Sequence, residues 1–107
     1  MRFLYAFFLF VSVCNLASAD DVSDEWQKLS SRYLEYVTAG KYESALDVAL
    51  ELNSMDPADT ETLLFIVYAS VKSGMRPPQW VLEQPWPNAT PRDKFNRQLA
   101  EQLANGS

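Results

Sequence analysis

Histidine is absent from this chain, cysteine occurs once, and glycine only three times in 107 residues. These gaps remove several kinds of chemistry before any residue is placed on a fold. Without histidine there is no imidazole to act as general base or metal ligand, and a lone thiol completes neither an internal disulfide nor a zinc site. Basic residues are also few: 9 Lys and Arg face 14 Asp and Glu, a net charge of −5. Phosphate binding needs clustered Lys and Arg, so nucleic acid is disfavoured as a partner. The long apolar stretch is confined to the start of the chain, Phe3 to Val13.

That start reads as an export signal. Met1 and Arg2 give a minimal basic end, the apolar run follows, and Ala17-Ser18-Ala19 has the small-x-small form a signal peptidase accepts. The run is shorter than the roughly 18 to 20 residues that span a bilayer, so a transmembrane helix is not expected. Cys14 lies inside this segment. A lipoprotein signal needs a small residue before the acylated cysteine, and Val13 stands there, which favours an ordinary cysteine of the apolar region. Cleavage after Ala19 predicts a periplasmic or secreted protein, and trimming 19 residues from 107 leaves 88. A chain of that length forms one domain, burying roughly 60 to 65% of its unfolded-chain surface. With Arg2 removed, its net charge moves from −5 to −6.

Residues 20–107 predict an all-α domain. Acidic Asp20, Asp21, Asp24 and Glu25 precede apolar residues at Trp26, Leu29, Tyr33, Tyr36 and Val37, whose intervals of three and four make one helical stripe. Gly40 supplies the stop. A second stripe, Tyr42, Ala45, Leu46, Ala49, Leu52 and Met55, ends before Asp56-Pro57, because proline disfavours helical geometry in the residue before it. So short a connection folds the two helices into an antiparallel hairpin. A third helix, capped by Asp59 or Thr60, is apolar nearly all round and stops at Gly74. A proline-rich loop follows with Trp80, Trp86 and a short turn at Pro78 to Glu83. The last helix starts with Thr90 as cap, Pro91 first and Asp93 as the capping-box acid. It carries Phe95, Leu99 and Leu103 as its apolar stripe.

Three pairs, Leu29 and Leu63, Val37 and Val71, and Gly40 and Gly74, stand 34 residues apart. Around Gly40 the run Gly40-Lys41-Tyr42-Glu43-Ser44-Ala45, with Ala49, Leu52, Pro57 and Tyr36 in register, resembles the tetratricopeptide repeat over residues 26–59 and partly over 60–74. Arg32-Tyr33 stands where that family has Leu-Gly, and Gln79 where a second unit has a small residue. About one and a half repeats are therefore present.

The resemblance implies that the first helix of each unit lines a concave surface that grips a peptide or a partner helix. Carried over by position, its apolar centre holds Leu34, Val37, Leu64, Tyr68 and Val71, with Lys72 beside them. Two covers for such a patch are open: the last helix with Phe95, Leu99 and Leu103, or a partner's segment. Trp80, flanked by Val81 and Leu82, is expected in the core, while Trp86 fits a core or a binding role equally.

The leading expectation is a non-catalytic adaptor or assembly factor recognising another envelope or secreted protein, without cofactor or metal, through Leu34, Val37, Leu64, Tyr68, Lys72 and Trp86. The alternative is a carbohydrate or cell-wall accessory protein stacking Trp80 and Trp86 on sugar rings, which needs both rings exposed and coplanar. Glu83 and Asp93 are the nearest candidates for acid catalysis, but nothing in their spacing suggests a carboxylate pair flanking a cleft. Asn88-Ala89-Thr90 and Asn105-Gly106-Ser107 fit the glycosylation acceptor pattern, the first weakened by Pro91 and the second by the chain end.

Overall fold

The computed structural model describes residues 22–106, so the expected leader, its cleavage site and Cys14 lie outside the described residues. Helix α1 covers residues 22–38, α2 Tyr42–Met55, α3 Thr60–Lys72, α4 Gln79–Glu83 and α5 Pro91–Gly106. Among the described residues there is no strand. The boundaries follow the signals in the chain. Asp59 caps α3 by accepting from the Thr62 N–H at 3.1 Å and its hydroxyl at 2.6 Å, a cap worth about 1 kcal/mol. Thr90 and Asp93 exchange backbone N–H bonds at 3.1 and 3.3 Å, the reciprocal box expected of them.

Two turns of the chain are built alike. After α1, the Gly40 N–H donates to Val37 O at 3.1 Å and the Lys41 N–H to Tyr36 O at 2.8 Å. After α3, the Gly74 N–H donates to Val71 O at 3.0 Å and the Met75 N–H to Ser70 O at 2.9 Å. Both glycines have positive φ, 75° and 80°, as the Schellman stop requires. The bends expected to be equivalent thus share both Schellman bonds, and the Ser73 hydroxyl adds one to Ala69 O at the second. Past them the chain diverges: Gly40 leads straight into α2, whereas Gly74 leads into prolines.

Helices α1, α2 and α3 pack as successive antiparallel neighbours. Ala45 and Ala49 are fully buried and let α2 approach closely, against a core that includes Leu29, Leu52, Leu63, Ile66 and Val67. Tyr33 reaches across from α1: its ring stacks on Phe65 at 4.2 Å and its hydroxyl donates to Phe65 O at 3.0 Å. One side chain therefore ties α1 to α3.

The loop and α4 return the chain to the end where α3 began. The Thr60 hydroxyl donates to Asp93 at 2.9 Å and accepts from Asn96 Nδ2 at 3.1 Å, so α5 starts beside the start of α3. These contacts set the rotation of α5. Asn96 and Ala100 face inward, Leu103 packs partly against the core, and Phe95 is left 59% exposed. The expected stripe of Phe95, Leu99 and Leu103 is corrected accordingly: polar pairing at the helix start turns Phe95 outward.

The tryptophans of the loop also exchange roles. A five-residue helix offers the core one face, and Val81 occupies it, so its neighbours Trp80 and Leu82 point out at 45% and 39% exposure. Trp86 folds in at 7% exposure, donating its indole N–H to Val81 O at 2.9 Å. The last carbonyls of a helix lack helical partners, and a buried indole needs an acceptor, so the two needs meet.

Candidate functional site

Glu61, Leu64, Phe65, Tyr68 and Lys72 recur at intervals of three and four, which places them on one face of α3. The opposite face, with Leu63, Ile66, Val67 and Ser70, is buried. On the outward face Glu61 and Lys72 are exposed, and Leu64, Phe65 and Tyr68 are half-buried. The Tyr68 ring is held edge-on by Tyr42 at 6.3 Å, and Lys72 Nζ lies 5.7 Å from its centre. A solvent-exposed cation over a ring contributes about 0.5 to 1 kcal/mol, enough to bias where the Lys72 ammonium sits.

Helix α1 forms one bank of this face. A cleft runs between Trp26, Ser30 and Leu34 on α1 and Asp59, Glu61, Thr62 and Phe65 at the start of α3. Leu34 is 59% exposed at its edge, and Val37, three residues on, is half-buried against the core. Helix α5 forms the other bank: Arg92 reaches Glu61 at 3.4 Å, and Phe95 and Leu99 follow Arg92 at helical spacing. Both charges of that pair are well exposed, so it contributes little to stability. Asn96, on the buried side of α5, bonds to Thr60 at 3.1 Å.

Of the six residues expected to bind a partner, Leu64, Tyr68 and Lys72 share a face of α3, Leu34 lines the neighbouring cleft, and Val37 is half-buried against the core. Trp86 is core. Its burial also means that Trp80 and Trp86 do not form a two-ring platform for sugars. Phe65 and Arg92 belong to the face but were not among the expected residues. Phe65 is placed by its stacking on Tyr33, for which the sequence carries no local signal. Arg92 could be found from its spacing to Phe95 only once the rotation of α5 is known.

The acids considered for catalysis are engaged elsewhere. Glu83 accepts from Gln79 Nε2 at 2.6 Å on α4. The hydrogen bond from Thr60, aided by the Thr90 hydroxyl and the backbone N–H groups of Ala89 and Thr90 and opposed by partial desolvation, holds the Asp93 carboxyl below its ordinary value. Burial, followed by the neighbouring Tyr68, pushes the Tyr33 phenol well above its ordinary value. Neither shift produces a group poised to exchange protons near neutrality. Among the described residues, no group of His, Cys, Asp and Glu is placed to hold a metal ion, and no helix is long and apolar enough to cross a membrane.

These features define a small all-helical globular protein, with five helices among the described residues. No family model, no curated protein and no solved structure matches the chain.

Proposed function

We propose that this chain is an exported, non-catalytic interaction module, an adaptor or assembly factor, that binds another envelope or secreted protein on the open face of α1, α3 and α5. We propose further that its first three helices are a short relative of the tetratricopeptide repeat. The shared Schellman bonds and positive φ of the bends at Gly40 and Gly74 support that relationship. One observation carries the functional reading: Leu34, 59% exposed, lines the cleft with Phe65 between α1 and α3, and Phe95, also 59% exposed, stands on α5 three residues from the Arg92 that reaches Glu61. Apolar side chains presented together in this way mark a docking surface more often than scattered exposed ones do.

A photo-crosslinking residue placed at Leu34 or Tyr68 in the source cells, with exposed Trp80 on α4 as control, tests the reading. The expected outcome is a discrete adduct with an exported protein from the first two positions and none from the third. Adducts from Trp80 alone, or none from any position, would overturn it.

A further inference from the structure

The charge around the open face narrows the partner. Trp26 lines two clefts at once. One is the cleft toward Leu34 and Phe65; the other lies toward Val22 and Met55, where the end of α2 meets the start of α1. Trp26, Val22 and Met55 supply the apolar lining of one cleft, and Trp26, Leu34 and Phe65 that of the other. The charged residues lining the two clefts are all acids: Asp56 in one, Asp59 and Glu61 in the other, with no basic residue lining either.

The start of α3 opens on the same place, and a helix start carries about half a positive charge. Asp59 as cap and Glu61 in the first turn more than offset it, and Asp56 adds to the excess. Arg92 balances only Glu61, across 3.4 Å and in contact with solvent. The surroundings of the clefts are therefore anionic, on a chain whose net charge is already −5.

We propose that the clefts around Trp26 receive a cationic amphipathic segment of a partner protein, with its apolar side chains against Trp26, Leu34 and Phe65 and its Lys or Arg groups over Asp56, Asp59 and Glu61. The proposal rests on the reading of the open face as a docking surface, and adds to it the sign of the partner's charge. An anionic or uncharged segment would cover Asp56 and Asp59 without supplying a counter-charge, a cost that discriminates against it.

Titration of the protein from residue 20 onward with a leucine–lysine peptide of helical spacing, and with its leucine–glutamate and leucine–glutamine counterparts, tests this. The expected result is saturable binding of the lysine peptide alone, weakening as salt rises. Leu34→Ser, at an exposed position where folding is not at risk, should weaken it roughly tenfold, the scale for losing an anchor. Glu61→Gln should weaken it several-fold and flatten the salt dependence.

If the three peptides bind alike and Leu34→Ser weakens all of them, the charge inference fails and the docking face stands. If only the lysine peptide binds but Leu34→Ser leaves it unchanged, the attraction is the net charge of the chain acting without the clefts, and the inference is overturned. If no peptide binds, both the inference and the reading beneath it fall.

Discussion

Tyr33 shows how one residue redirects a local pattern. A glycine at its position would bring the helices together by removing bulk; a tyrosine brings them together by filling the gap and bonding to the far backbone. Its hydroxyl at 3.0 Å from Phe65 O is the only polar part of a ring that is 2% exposed. Tyr33→Phe keeps the stacking and removes that bond, and chemical denaturation should show a loss of about 1 kcal/mol. Ser70 presents the opposite case. It is 1% exposed and its hydroxyl has no hydrogen-bond partner. Burying an unpaired hydroxyl costs about 1 to 3 kcal/mol, so Ser70→Ala should leave the unfolding midpoint unchanged or raise it.

The glycine stops, the helix caps and the docking of α5 belong to the scale of elements. A Cβ built at Gly40 or Gly74 meets nothing within 4 Å, so the cost of alanine at either is backbone strain alone. Gly40→Ala and Gly74→Ala should each lose about 1 to 2 kcal/mol, and because the bends share both Schellman bonds the two losses should agree within a few tenths. A large difference between the two unfolding curves would show that one bend is held by something beyond its own turn.

The α5 contact is a polar cluster: Thr60 and Asn96 are 4% and 2% exposed, and both bonds share the Thr60 hydroxyl. Thr60→Val strips the acceptor from Asn96 and the donor from Asp93 together. A double-mutant cycle with Asn96→Ala should therefore be non-additive by about 0.5 kcal/mol or more. Strict additivity would mean that the cluster does not hold α5 in its rotation, and that Phe95 is turned outward for another reason.

At the scale of the whole molecule, the two shifted groups bound the pH range of stability from opposite sides. Asp93 has a lowered folded value, so its contribution is present above the ordinary carboxylate value of about 3.9 and is lost as pH falls through the lower, folded one. Tyr33 has a raised folded value, so its contribution is full below the ordinary phenol value of about 10 and is lost as pH rises toward the folded one. With no histidine in the chain, nothing here predicts a change between pH 5 and 8. Thermal unfolding followed across pH should show a flat middle, an alkaline fall that Tyr33→Phe abolishes, and an acid fall that Asp93→Asn reduces.

Much of this molecule was legible before its coordinates. The ends of α2, α3 and α5 follow from Asp56-Pro57, Asp59, Gly74, Thr90 and Pro91, because caps and stops act on their own few residues and depend little on what lies across the fold. The equivalence of Gly40 and Gly74 was visible as a spacing for the same reason. Phe95, Trp80 and Trp86 were not legible, since all three are apolar aromatics that a core or a surface accepts equally. Phe95 was placed by Thr60, bonded to Asp93 and Asn96 across the fold, and the tryptophans by Val81, which takes the one inward position of α4 and accepts the Trp86 indole N–H. By itself the sequence determined where helices begin and end, because those signals are local. Only the tertiary structure decided which way each helix is rotated, and hence which apolar side chains remain open to a partner, because rotation is set by contacts between residues more than thirty positions apart.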